Sequence, residues 1–196
     1  TLKGYLEQKR FDAVVTPHLY PAETLTAMKK KGWLKIPVVA IGTDYTCIPF
    51  WEETDCEYYV IPHEDLIEEF VKRGIPREKL LPWGIPVRQS FMKQWNKKEA
   101  RKICHIPQNN KSYLVMGGSM GFGKIQIFVL ELARRMEADE NMVVICGNNK
   151  KLEKLLKREL VHRKNVKVLG YTDQVAAYMA ACDVIFTKPG GLSSTE

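Results

Sequence analysis

The sequence predicts an α/β protein built from two parallel-sheet domains. Three observations lead there. Short β-branched runs alternate with helical patterns along the chain, as crossover connections between parallel strands require. The alternation breaks once, in a proline-containing and then polar stretch, and resumes beyond it. The runs after the break are nearly continuous in apolar residues, as strands covered on both faces are.

In chain order, residues 11–16 read as a strand, 22–31 as a helix, 36–41 and 58–61 as strands. Residues 63–73 read as a helix stopped by Gly74 and Pro76. Leu80 to Val87 then carries Pro82, Gly84 and Pro86, and a polar stretch runs to Gln108. The domains are therefore expected at 1–88 and 111–196, with 89–110 as linker and junction. In the second domain, 112–116 reads as a strand, 117–123 as a Gly-rich turn and 124–136 as a helix. Residues 142–146 read as a strand, 149–160 as a helix, 166–169 as a strand, 173–181 as a short helix and 183–187 as a strand.

Composition narrows the function. The 196 residues are 45% hydrophobic and 27% charged, ordinary for a globular chain. There is no apolar run of the roughly 18 residues that a membrane span needs. The first ten residues lack the apolar core of a signal peptide. The chain has no initiator Met, and it stops at Thr195-Glu196 where a helix is starting; it is expected to be a segment of a longer protein. The net charge of +7 fits anionic lipid head groups or phosphorylated ligands. Nucleic acid is not the expected partner, because the basic residues are not interleaved with stacking aromatics. Lys150, Lys151, Lys154, Lys157 and Arg158 have helical spacing and read as a solvent face. The five cysteines form no C-x-x-C pair, which points to reduced thiols in a cytosolic protein. Cys146 and Cys182 lie in apolar runs and read as core.

Two Gly-rich turns carry the chemistry. Gly117-Gly118-Ser119-Met120-Gly121-Phe122-Gly123-Lys124 follows a strand and opens a helix, where free backbone N–H groups favour phosphate. A P-loop would use Gly118, Gly123 and Lys124, but Ile125 stands where the magnesium-binding hydroxyl belongs. A dinucleotide fingerprint starting at Gly121 fails at Gln126. A plain tight turn remains the bland alternative. The second stretch is Lys188-Pro189-Gly190-Gly191-Leu192-Ser193-Ser194-Thr195-Glu196. Its paired glycines allow close backbone approach to a ligand, and Glu196 could accept both ribose hydroxyls. Ser193 and Glu196 also match a capping box, which is the competing local reading. Two such turns in one half-chain favour a nucleotide cleft.

These features in order resemble the monogalactosyldiacylglycerol synthase family, which includes the bacterial diacylglycerol glucosyltransferases. The resemblance rests on Gly-Gly-Ser at 117–119, Val-Ile-Cys-Gly-Asn-Asn at 144–149 and Val-Leu-Gly-Tyr at 168–171. It rests also on Cys182 to Glu196, on Gly42 to Trp51, and on the Gly-Ile-Pro-Val-Arg junction at 84–88. It covers nearly the whole chain.

The resemblance implies a GT-B fold of two Rossmann-like domains, both incomplete in this chain, and transfer of a hexose from a UDP-sugar to a lipid such as diacylglycerol. It places Gly118, Ser119, Gly190, Gly191 and Leu192 at the diphosphate, and counts Pro189 and Ser193 among the nucleotide-binding residues. Gly147, Asn148 and Tyr171 fall on the uracil side, and Glu196 at the ribose. The N-terminal half would take the acceptor and dock on an anionic membrane, peripherally and on its cytoplasmic face. Asp44 and His18 are the catalytic candidates there, although a general base is expected outside this chain. Phe50 and Trp51 are candidates for lipid contact, with core packing as the alternative.

No metal and no cofactor beyond the donor substrate is expected. The nearest thing to a D-x-D pair is Asp55-Cys56-Glu57, and leaving-group charge would fall to backbone N–H groups. A UDP-sugar epimerase of the same fold and a non-catalytic nucleotide- or lipid-binding module are the other function classes.

Overall fold

The computed structural model describes residues 1–117 and 125–196. They form two compact units, one of Thr1–Val87 with Gly190–Thr195, the other of Arg88–Pro189 with Glu196.

The first unit contains α1 (Leu2–Lys9), β1 (Val14–Thr16), α2 (Leu19–Lys30), β2 (Val38–Ile41), β3 (Tyr58–Val60), α3 (Ile67–Lys72) and β4 (Leu80–Leu81). Its sheet has the order β1-β2-β3-β4, parallel throughout. Val15 pairs with Val39, Ala40 with Tyr59, and Tyr59 with Leu80. The core gathers Leu25 and Met28 of α2, Val38 and Ala40 of β2, Tyr59, Ile61 and Phe70.

α2 starts at Leu19, three residues before the sequence pattern suggests. His18 is its N-cap, accepting the Tyr20 N–H on Nδ1 at 3.3 Å. Pro21 then falls in the first turn, where a missing N–H costs nothing. The strand expected at 11–16 is confined to its last three residues. A 3₁₀ turn, Glu64–Leu66, leads into α3, and Gly74 at φ 97 follows its end. β4 falls inside the stretch that reads as a break. Two residues are too short to show a period, and their pairing with β3 is a tertiary event.

The second unit contains α4 (Gln89–Met92), α5 (Lys97–Cys104), β5 (Ser112–Met116), α6 (Ile125–Arg135) and β6 (Asn141–Ile145). It continues with α7 (Lys150–Glu159), β7 (Val166–Leu169), α8 (Val175–Ala181) and β8 (Val184–Thr187). The sheet order is β7-β6-β5-β8, again all parallel. After β7 the chain returns to the far side of β5, so the strand order reverses between β5 and β8. α9 (Gly191–Thr195) closes the chain and groups with the first unit.

Residues 89–110, expected as linker, hold two helices. α5 buries Ala100, Arg101 and Cys104 in one cluster with Ala177, Tyr178 and Ala181 of α8. Its sequence, KKEARKIC, hides this because one of its three buried positions is an arginine. Arg101 is buried because every direction it points holds an acceptor. Nε donates to the Ala181 carbonyl at 2.9 Å, and Nη1 to the Pro107 and Gln108 carbonyls at 3.1 and 2.5 Å. Nη2 donates to Asp183 at 2.8 Å.

The basic cluster on α7 is solvent-facing. Lys150, Lys151, Lys154, Lys157 and Arg158 are exposed, while Leu156 on the opposite side is buried. Asn149 caps the helix, its Oδ1 accepting the Leu152 N–H at 3.0 Å. Asn149→Ala is expected to cost about 1 kcal/mol, read as a lower urea midpoint with unchanged slope.

All five cysteines are free and buried. Burial pushes the thiols of Cys47 and Cys146 up to about 11 and that of Cys182 up to about 12. They are packing residues, not nucleophiles.

Candidate nucleotide and acceptor site

The carboxyl ends of the second sheet carry Gly147, Asn148, Tyr171 and Pro189 from among the expected nucleotide residues. Parallel strands all finish on the same side, and ligands of open α/β sheets bind beyond those carboxyl ends, where the strand order reverses. β6 ends at Ile145 and is followed by Gly147 and Asn148. β7 ends at Leu169 and is followed by Gly170 and Tyr171. β8 ends at Thr187 and leads into Pro189 and Gly190. Gly147 has φ 55, so the chain turns sharply off β6 through a conformation that glycine adopts freely. Asn148 and Tyr171 are exposed, Tyr171 at 68%. Gly118 and Ser119 lie outside the described residues.

A cavity of about 330 Å³ opens where β5 and β8 end, lined by Val115, Met116, Phe128, Phe186, Thr187 and Lys188. A larger hollow, about 660 Å³, sits at the opposite ends of the same strands, among Lys97, Lys98, Arg101, Lys111 and Asp183. The smaller one is the better candidate. The larger lies at the amino ends, and its Arg101 and Lys97 are already paired with Asp183.

Gly191 is placed by packing. A Cβ on Gly191 would stand 1.8 Å from the Thr43 carbonyl oxygen, 2.9 Å from the Thr43 carbon and 3.2 Å from Ile85 Cδ1. Only a glycine fits. The Tyr45 and Thr195 hydroxyls hydrogen-bond at 3.0 Å beside this contact. Leu192 is exposed.

Ser193 is the third residue of α9, and the position before that helix is Gly190. A capping box needs its serine ahead of the first turn, so Ser193 and Glu196 do not form one. Glu196 lies just past the helix and is partly buried. Burial raises its carboxyl pKa, and the Arg88 charge works in the other direction.

In the first unit, β2 ends at Ile41, and Asp44 and Tyr45 stand exposed on the bend that follows. Phe50 is 53% exposed and adopts φ 78, a costly backbone conformation for a non-glycine residue. Trp51 departs from the expectation of lipid contact. It is buried to 4% exposure and meets Tyr59 edge-on at 6.2 Å. Its 3₁₀ turn, Trp51–Glu53, rolls the indole into the core, while Phe50, one residue earlier, faces out. His18 serves as a helix cap. Its Nδ1 accepts the Tyr20 N–H, which leaves Nε2 as the ring nitrogen not engaged by the cap.

Two acidic side chains matter here that the sequence reading missed. Glu153 of α7 covers Gly170, where an added Cβ would lie 2.5 Å from its Oε2. Glu69 of α3 holds the loop after β2, accepting from the Thr46 hydroxyl at 2.5 Å and the Cys47 N–H at 2.8 Å. Each meets its partner 17 to 23 residues away, and a charged position on an amphipathic helix carries no signal of that.

Residues 1–87 match the family model for monogalactosyldiacylglycerol (MGDG) synthase, and residues 112–196 match the glycosyltransferase family 28 C-terminal domain. The processive diacylglycerol beta-glucosyltransferase of Staphylococcus carnosus is 28% identical over 178 residues, 90% of this chain and 45% of that protein. The enzyme of the same name from Bacillus cereus is 27% identical over 199 residues, 100% of this chain and 50% of that protein. The chain thus spans about half the length of the curated relatives it matches.

Among solved structures, the UDP-GlcNAc 2-epimerase of Neisseria meningitidis bound to UDP-GlcNAc superposes with a TM-score of 0.70 at 20% identity. The match covers 97% of this chain and 58% of that one. MurG of Acinetobacter baumannii gives 0.59 at 17% identity, covering 97% and 51%. The fold is the GT-B type, with two Rossmann-like parallel sheets. By its two halves, then, the chain is similar to the monogalactosyldiacylglycerol synthase family over residues 1–87 and to the glycosyltransferase family 28 C-terminal domain over residues 112–196.

Proposed function

We propose that this chain belongs to a glycosyltransferase that moves a hexose from a UDP-sugar to a diacylglycerol-type lipid. The observation that carries the reading is the pairing of the two family matches in this order, with relatives named diacylglycerol glucosyltransferases aligned across 90–100% of the chain. Residues 111–196 would hold the donor, residues 1–88 the acceptor, and 89–110 the junction.

At the donor, Gly118, Ser119, Pro189, Gly190, Gly191, Leu192 and Ser193 would border the diphosphate. Backbone N–H groups there would stabilise the charge that builds on UDP as it leaves. Gly147, Asn148 and Tyr171 would face the uracil, and the Glu196 carboxylate would accept the ribose hydroxyls. In the displacement, the acceptor hydroxyl attacks the anomeric carbon, the bond to the UDP oxygen breaks, and the hydroxyl proton passes to a base. Asp44 is the candidate to orient or assist that base, and Phe50 to touch the lipid chain. Work on a lipid requires a membrane surface, and the reading puts the enzyme peripherally on its cytoplasmic face. A net charge of +7 favours anionic head groups, and no helix among the described residues is long and apolar enough to cross a bilayer.

The test is UDP release by the full-length protein given UDP-hexose and diacylglycerol vesicles. Turnover of the UDP-sugar without lipid would point to an epimerase, and binding without turnover to a non-catalytic module. Glu196→Ala is expected to weaken UDP about tenfold or more, the loss of a charged hydrogen-bonding partner being worth roughly 1.5–3 kcal/mol. Unchanged affinity in isothermal titration would remove Glu196 from the ribose. Because the acceptor is the carboxylate and burial raises its pKa, UDP affinity should start to fall at a higher pH than for an ordinary glutamate.

A further inference from the structure

Apart from its contacts with α9, where Thr43 packs on Gly191 and Tyr45 meets Thr195, the loop from Gly42 to Phe50 is held at three places. At its start, the Gly42 N–H donates to the Val60 carbonyl at 2.8 Å, continuing the ladder of β2 on β3. At its end, Trp51 is buried, and its carbonyl accepts the Thr54 hydroxyl at 2.7 Å. In the middle, a single oxygen, Glu69 Oε1, takes both the Thr46 hydroxyl and the Cys47 N–H. An ionised carboxylate is a stronger acceptor than a neutral group. Those two hydrogen bonds, with the Arg73 charge one turn further along the chain, keep Glu69 below the usual glutamate range. The Cys47 side chain beneath the clasp is 1% exposed.

Asp44 and Tyr45 stand ahead of the clasp and Phe50 beyond it, all exposed, the Tyr45 hydroxyl reaching Thr195 at 3.0 Å. Phe50 keeps its positive φ between two fixed points. Strained backbone persists only where its surroundings over-determine it. A loop that spends a buried aromatic and a charged clasp on holding three exposed side chains is built to present them.

We propose that Glu69 is a positioning residue for acceptor use, fixing through Thr46 and Cys47 the loop that presents Asp44, Tyr45 and Phe50. This rests on the reading that the loop after β2 faces the lipid acceptor.

The test uses full-length protein carrying Glu69→Ala, Glu69→Gln or Thr46→Val, with two readouts. The first is alkylation of Cys47, located by mass spectrometry of its peptide. Labelling should speed up at least tenfold in Glu69→Ala and less in Thr46→Val. It should stay near wild type in Glu69→Gln, whose amide oxygen can accept both bonds. The second is kinetics: KM for diacylglycerol should rise about tenfold in Glu69→Ala, while the Kd for UDP stays unchanged. Should Glu69→Ala fail to fold, Thr46→Val must show both shifts in the same direction. Cys47 remaining protected in both variants would overturn the clasp. Faster labelling with an unchanged lipid KM, or with UDP affinity falling in step, would overturn the acceptor role. The labelling needs no turnover, so a wild-type protein that transfers no hexose to lipid defeats the functional reading, and the acceptor role with it, separately from the clasp.

Discussion

Asp183→Ala is expected to destabilise the second unit by about 2–3 kcal/mol, read from urea denaturation at neutral pH. Breaking a buried ion pair from one side costs roughly 3–5 kcal/mol, because the remaining charge is left without its partner. The partner here is Arg101, whose side chain is 5% exposed; that of Asp183 is 30% exposed, so water makes good part of the loss. The carboxylate does more than pair with Arg101. Its Oδ2 also accepts the Ser112 N–H at 2.7 Å, while the Asp183 N–H donates to the Ser112 carbonyl at 2.8 Å. One side chain therefore ties the start of β5 to the start of β8 and both to α5. Lys97→Ala, which removes the exposed partner at Oδ1, should cost under about 1 kcal/mol.

The pH dependence has a definite sign. Burial alone would raise the Asp183 pKa, but the Lys97 bond, the Ser112 N–H and the Arg101 charge outweigh it and hold the value below normal. A lowered folded-state pKa gives stability that is fully present above the unfolded value, near 3.9, and is lost as pH falls through the folded one. The difference between wild type and Asp183→Ala should accordingly shrink in acid. A gap that stays constant down to pH 2 would contradict the ion-pair account.

Gly191→Ala is expected to weaken UDP binding about a hundredfold, roughly 2.7 kcal/mol. The first obstacle to an added methyl is backbone, the Thr43 carbonyl at 1.8 Å, and no rotamer change can relieve it. Thr43 directly follows the Gly42 N–H bond to Val60, so α9 is the element that must move, by more than an ångström, and the paired glycines would then lose the place proposed for them at the diphosphate. Gly4→Ala is the control. Its Cβ would meet nothing closer than Thr1 Oγ1 at 3.5 Å, and within α1 alanine is favoured over glycine by about 1 kcal/mol. Isothermal titration with UDP should separate the two variants. Wild-type affinity in Gly191→Ala would show that the close approach at Thr43 has no part in nucleotide binding.

The readable and unreadable parts of this protein differ in the distance over which their information is spread. β5 to β8 were legible because each is a run of four or five residues rich in β-branched or large apolar side chains, bounded by polar or glycine turns. β4 was not, because Leu80 and Leu81 are too few to show a period. α5 was not, because Arg101 occupies a core position that only four acceptors from elsewhere in the unit make habitable. The Gly-rich turns could be picked out because paired glycines are rare and mechanical in meaning. Phe50 and Trp51 looked alike as neighbouring aromatics, and the 3₁₀ turn alone decides that one faces solvent and the other the core.

By itself, then, the sequence determined the alternation of strand and helix, the two parallel-sheet units and the glycines at their strand ends. Each of these is written in residues within about four positions of one another, the range over which helix and strand periods act. The return of β8 to the side of β5, the burial of Arg101 against Asp183, and the holding of Thr46 and Cys47 by Glu69 were decided only by tertiary structure. These partners lie 22 to 82 residues apart, and neither member of a pair carries a local mark of the other.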